Sequence, residues 1–297
     1  MASSRFQDFL AIMDLNLDYL RGWRGKSESR SDEVASAPIA ALSATLDRDD
    51  PYPKPADFVP PLWHWLYFLP MDRQSELGPD GHARRGGFLP PVPLPRRMFA
   101  GDRVQFLHPL RVGETATRLS RIVEVNAKQG RSGPLVFVTV RHEVSDGQGL
   151  ALVEEHDIVY RDRSKPSDSA LPPQVAPEGA AWTREILPDP TLLFRYSALT
   201  FNGHRIHYDR RYATEVEGYP GLVVHGPLIA TLLLDLLRHN LGDINVSSFS
   251  FRAMRPLFDT GPFSICGSAT ADRKTARLWA KDSDGWLAMD ATAALAG

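Results

Sequence analysis

The sequence predicts an α+β fold made of two similar units in one chain, each an antiparallel sheet wrapped around a central helix. Three observations predict it. Strand-like runs follow one another without helical periodicity between them, as in Leu135–Val144, where Val136, Val138, Val140 and Val144 share one face. Two short segments, Leu62–Leu69 and Pro227–Leu237, are apolar nearly all round, which marks helices enclosed on every side. The order of one such helix and then about four strands occurs twice.

The elements follow in order. Phe6, Phe9, Leu10, Met13, Leu17 and Leu20 recur at three and four, predicting an N-terminal helix. A polar stretch, Gly25–Glu33, precedes a second helical segment at Ala35–Leu46, and Asp49–Pro61 reads as loop. Leu62–Leu69 begins after two prolines and stops at Pro70, room for about two helical turns. Met71–Pro95 is rich in Gly and Pro and lacks periodicity, a long loop of the kind that tends to be functional. Strands are predicted at Arg103–Phe106, Thr115–Val125, Leu135–Val144 and Leu150–Tyr160, with turns at Gly130–Gly133 and Asp146–Gly149. Arg163–Ala180, dense in Pro and Ser, reads as a linker. It divides the chain into a unit at 1–165, a linker at 166–180 and a unit at 181–297. After the Pro227–Leu237 helix, strands are predicted at Val246–Phe251, Phe263–Ser268, Ala276–Lys281 and Trp286–Ala293. A sheet curled round an apolar helix is the hotdog arrangement. One such unit leaves an edge exposed and pairs with a second, here supplied by the same chain: a double hotdog.

Charge and composition remove several function classes. Lys and Arg number 34 against 36 Asp and Glu, a net charge of −2, so there is no basic footprint for nucleic acid. A local basic patch for a small anion remains compatible with that balance. The single cysteine, Cys266, allows no intrachain disulfide and no thiolate metal cluster, and its apolar run predicts a buried small hydrophobe. Asp8, Asp14 and Asp18 interrupt the apolar N-terminal positions, which argues against a signal peptide or organelle presequence. No stretch approaches the roughly 18 apolar residues of a membrane span. A soluble, cytoplasmic protein with no membrane partner is expected.

The chemistry concentrates in Arg195–Asp209, where Asn202, His204, Arg205, His207 and Asp209 crowd around Gly203. Histidine is the natural proton shuttle near neutral pH; the alternative is a polar loop with structural histidines. The second piece, Gly221–Leu228, places Gly226 and Pro227 at a helix N-terminus. Free N–H groups there could polarise a thioester carbonyl and hold the enolate formed when water adds. The alternative is an ordinary Gly-Pro helix start.

Together the two pieces resemble the MaoC-type enoyl-CoA hydratase motif. Tyr196 opens it, Ile206-His207 closes it, Ala213 falls six places after His207, and Val224-His225-Gly226 supplies the later element. This chain departs from the common pattern: Asn202 stands where that family has its catalytic Asp, with Phe201 for Gly, His204 for Asn and Arg205 for Pro. An amide cannot take a proton. The variant Thr-Phe-Asn-Gly-His-Arg-Ile-His-Tyr-Asp at 200–209 resembles the branch of mesaconyl-CoA and itaconyl-CoA hydratases and 3-hydroxyacyl-thioester dehydratases. Gly101–Phe106, Gly130–Val138 and Phe251–Phe258 agree with that branch, so the resemblance spans the chain from Pro60 onward.

The resemblance implies a hydro-lyase on an acyl-CoA, with a catalytic set of His207, Asn202 and Gly226 and no metal or cofactor beyond CoA. His207 would take a proton from water, Asn202 would orient that water without ionising, and the Gly226 N–H would bind the thioester oxygen. Tyr196, His204, Arg205, His225 and Arg252 are the candidate substrate contacts. Arg205 would meet a free carboxylate or a CoA phosphate, or else pair with Asp209. The first half lacks the Asn-x-His-x-x-His pattern and is expected to be catalytically dead, supplying the floor of the acyl pocket. A homodimer is expected. The competing functions are a fatty-acid 3-hydroxyacyl-thioester dehydratase, a thioesterase and a non-catalytic acyl-CoA-binding module. The thioesterase would need a carboxylate at the active helix, where only Asp235 stands.

Overall fold

The computed structural model describes residues 15–130, 133–162, 173–242 and 244–296. Its centre is a single ten-stranded antiparallel sheet in the order β1-β3-β4-β5-β2-β7-β10-β9-β8-β6. The N-terminal half contributes β1 (Ser27–Glu33), β2 (Arg96–Phe106), β3 (Thr115–Gly130), β4 (Gly133–Asp146) and β5 (Gly149–Arg161). The C-terminal half contributes β6 (Trp182–Ile186), β7 (Asn245–Ala253), β8 (Phe263–Ala269), β9 (Thr275–Asp282) and β10 (Leu287–Ala296). The halves meet where Gly101–Gln105 of β2 pairs with Arg252–Ser248 of β7. Each half thereby closes the other's exposed edge, which gives the double-hotdog topology.

The helices are α1 (Leu17–Arg21), α2 (Ser36–Thr45), α3 (Pro190–Leu199) and α4 (Gly226–Leu241). Asp189 caps α3 by accepting from the N–H groups of Thr191 and Leu192, with Pro190 opening the helix. The long helix α4 is buried at every position from Leu228 to Leu237 and packs on β6, β8 and β9. Each fully buried leucine there contributes about 2 kcal/mol of apolar burial. No helix among the described residues is long and apolar enough to cross a membrane.

Several predicted elements change on folding. Leu62–Leu69 holds one 3₁₀ turn, Trp63–Leu66, in place of two α-turns; Leu62 and Phe68 take left-handed φ values of 69° and 56°, which confine the helix at both ends. The polar stretch 25–33 contains edge strand β1, and β2 starts seven residues before the expected Arg103, at Arg96. Strand β6 and helix α3 fill the approach to the motif. The N-terminal helix survives as α1 among the described residues; residues 1–14 and the linker positions 163–172 lie outside them. Cys266 is buried in β8, as its surroundings predicted.

Candidate active site

The segment after α3 turns sharply: Phe201 takes a left-handed φ of 49°, and the Asn202 side-chain oxygen accepts from the His204 N–H at 3.0 Å. Gly203 serves contact more than bending. A Cβ there would lie 2.6 Å from the Gly81 carbonyl oxygen, and one on Gly81 would lie 1.9 Å from that of Gly203. Only two glycines allow so close an approach. Gly81 belongs to the long loop of the N-terminal half, which is thus pressed backbone to backbone onto the motif of the other half. Arg205 clamps this contact. Its N–H donates to the Asp80 carbonyl at 2.9 Å, its Nη1 donates to the Pro79 carbonyl at 2.9 Å, and its Nε and Nη2 bind Asp209 at 3.0 and 2.7 Å. Of the alternatives open for it, Arg205 takes the Asp209 pairing and holds the two halves together.

His207 is buried, and its Nδ1–H donates to the Val223 carbonyl at 2.7 Å. A carbonyl only accepts, so the proton sits on Nδ1 and the Nε2 lone pair is bare. Burial lowers the ring to about 4, against the bond to Val223, so His207 is a neutral base at physiological pH. His225 stacks on it with centroids 3.7 Å apart and rings inclined by 17°, and pairs through Nε2 with the Ser197 hydroxyl at 2.8 Å. Tyr196 packs edge-on against His225 at 5.1 Å. His225 is fully buried behind His207, and this corrects its assignment as a substrate contact: it positions the base.

Two adjoining cavities, of about 550 and 1050 Å³, open on these groups. The smaller is lined by Asn202, His204, His207 and Gly226 together. Gly226 heads α4, where the first-turn N–H groups have no intrahelical acceptor. A Cβ on Gly226 would lie 2.9 Å from Phe99 Cδ1. A bulge between Phe99 and Gly101 in β2 aims that ring at the helix mouth. Tyr196 lines only the larger cavity. Arg252 is exposed and lines neither, because strand alternation turns it with Ser250 away from the buried Phe249 and Phe251.

Three cavity-lining residues escaped the sequence reading. Asp80 and His82 arrive on the Gly81 loop; Asp80 Oδ2 accepts from His82 Nδ1 at 3.1 Å, and the His82 ring lies 4.1 Å from that of His204. Burial alone would raise the Asp80 carboxyl, but the hydrogen bonds and charge of His82 outweigh it and hold it below the usual carboxylate range. Burial and then Arg97 lower His82 to about 4, against Asp80. Arg97, on β2, lines both cavities. The long loop was expected to be functional, but nothing in its spacing singled out these side chains. Asp80, His82 and His204 offer ligand atoms within 4.8 Å of one another, as do Asp102, Glu154 and His156, and these are the groups with the composition to hold a cation.

Residues 62–259 match the family of hydroxyacyl-thioester dehydratase type 2. The mesaconyl-C(4)-CoA hydratase of Chloroflexus aurantiacus is 50% identical over 275 residues, 93% of this chain and 97% of that one. Among solved structures, a MaoC-like dehydratase from Phytophthora capsici aligns with a TM-score of 0.62 at 15% identity, covering 94% of this chain and 98% of that one. A Mycobacterium tuberculosis protein described as having a double hotdog fold aligns at 0.57 and 14% identity, covering 92% and 96%.

Proposed function

The chain belongs to the hydroxyacyl-thioester dehydratase type 2 family, and from that premise we propose the substrate and mechanism by which this hydro-lyase works. The substrate is a short dicarboxylic enoyl-CoA of the mesaconyl-CoA kind, hydrated reversibly to the hydroxyacyl-CoA. The observation that carries the mechanism is that His207 and Gly226 line one cavity, the first as a bare neutral base, the second as a free backbone donor. His207 Nε2 takes a proton from water as the oxygen adds to the β-carbon, then returns one to the α-carbon. The Gly226 N–H holds the thioester oxygen while enolate charge develops. Asn202 orients the water; the ionised carboxylate that Asn202 lacks is supplied nearby by Asp80, through His82.

The larger cavity supports the acyl class. Its sheet wall carries Arg118, His142, Glu154 and His156, polar groups suited to a short dicarboxylic acyl chain more than to a long alkyl one. Asp235, the one carboxylate on α4, is buried between Arg48 and Arg184 and is not available to a thioesterase. The same proposal includes a homodimer and no cofactor beyond the substrate's CoA.

The test is hydration of an enoyl-CoA panel, followed by loss of enoyl absorbance, with His207→Ala beside the wild type. Turnover of a short dicarboxylic enoyl-CoA, lowered roughly a hundredfold or more in the variant, supports the reading. Release of free thiol, or equal rates in both proteins, would sink it.

A further inference from the structure

Of the partners open to Arg205, its guanidinium takes Asp209 and the Pro79 carbonyl. A dicarboxylic acyl group still has to be held. In an unsaturated four-carbon backbone joined to CoA at one end, the second carboxylate sits on the β-carbon, the atom that water attacks. Its receptor must therefore share a cavity with His207 and Gly226.

Four arginines line that cavity: Arg96, Arg97, Arg161 and Arg255. Arg96 binds Glu217 at 3.0 Å and stacks on Tyr219, and Arg255 pairs with Asp282 at 3.0 Å. Arg161 stands opposite Arg96 at the end of β5, and its Nε donates to the Asp162 carbonyl at 3.4 Å. Arg97 forms no ion pair with a carboxylate among the described residues. It stands opposite Tyr160 across the β2–β5 ladder, and its charge is felt by Asp80, His82, His156 and His204. Arg97 lines both cavities together with His82 and His156, and the smaller one with His207 and Gly226, so the guanidinium stands where the two cavities meet. Arg118 and Arg85 line only the larger cavity, and Arg85 already donates to the carbonyls of Val92, Leu94 and Pro95.

We propose that Arg97 receives the free carboxylate of the acyl group and is the residue that selects dicarboxylic substrates. The inference rests on the substrate reading given under Proposed function. A guanidinium binds a carboxylate by two parallel hydrogen bonds, which fixes the orientation of the carbon that bears it. It also neutralises the carboxylate charge next to the carbon that the water oxygen must approach.

The experiment compares wild type, Arg97→Gln and Arg97→Lys on mesaconyl-C4-CoA and on crotonyl-CoA, which has the same backbone without the carboxylate. Arg97→Gln is expected to lose about 10- to 100-fold in kcat/KM on the dicarboxylic substrate, mainly through KM, and to change less than about threefold on crotonyl-CoA. Arg97→Lys should fall between, because the charge stays and the fork is lost. Calorimetric binding of succinyl-CoA against butyryl-CoA reads the same preference without turnover. Equal losses on both substrates, or no loss on the dicarboxylic one, overturn the proposal. A wild type that hydrates crotonyl-CoA and prefers butyryl-CoA over succinyl-CoA overturns the substrate reading itself, whatever the variants do.

Discussion

The two halves of the sheet use their inner faces in opposite ways. In the C-terminal half α4 is packed against β6, β8 and β9, and its buried positions are mostly leucine. In the N-terminal half the matching face of β2, β3, β4 and β5 looks into the larger cavity and is polar, with Arg97, Arg118, His142, Glu154 and His156 on it. A 3₁₀ turn lies over that sheet, pinned by Glu154, which accepts from Trp65 Nε1 and His64 Nε2 at 3.0 Å each. On the proposed mechanism the C-terminal half supplies His207 and Gly226, and the half without the motif supplies Asp80 and the carboxylate receptor.

The division of labour can be broken from either side. The largest effect is expected at Gly226→Ala, where the added Cβ would press on Phe99 at the helix mouth; kcat should fall about a hundredfold with thermal stability little changed. Restoration of the rate in the double variant Gly226→Ala/Phe99→Leu would show that displacement caused the loss. A Gly226→Ala enzyme with normal kcat would remove the helix mouth from the mechanism. In the N-terminal half, Glu154→Leu strands the buried His64 and half-buried Trp65 donors and should lower the unfolding free energy by about 2 kcal/mol. Denaturant titration reads it, and an unchanged midpoint would mean that the polar cluster is not structural.

The smallest effect is a slope with pH. His82 and His207 lie near 4 in the folded chain, lowered chiefly by burial, against about 6.5 when unfolded. Between those values the unfolded state binds more protons, so stability falls as the pH drops from about 6.5 towards 4 and is flat above 7. His207→Ala should flatten part of that slope in thermal melts at constant ionic strength. An unchanged slope would mean that this ring does not enter folding as a neutral group.

What the sequence made legible follows the same line between the halves. The alternation in Leu135–Val144 announced a central strand because one of its faces is buried; β1 and β6 escaped because they are the sheet's edges, with no fully buried position to imprint a pattern. His207, Asn202 and Gly226 were legible because they lie on two short contiguous segments. Asp80, His82 and Arg97 were not, since only folding brings a non-periodic loop and the start of β2 against residues far along the chain. His225 was named with the Gly226 segment and Arg252 with the strand at 251–258, whereas burial places one behind the base and alternation turns the other to solvent.

The seam between β2 and β7 also bears on how the chain comes into being. Gly101–Gln105 leaves the ribosome long before Arg252–Ser248, its partner strand. Through that interval the finished first half carries an unpaired strand edge, with Phe99 beside it awaiting α4. Such an edge is a template for any other extended chain, and pairing across so long a sequence separation is slow. The newborn protein is thus exposed to misassociation at the very strand that carries Arg97.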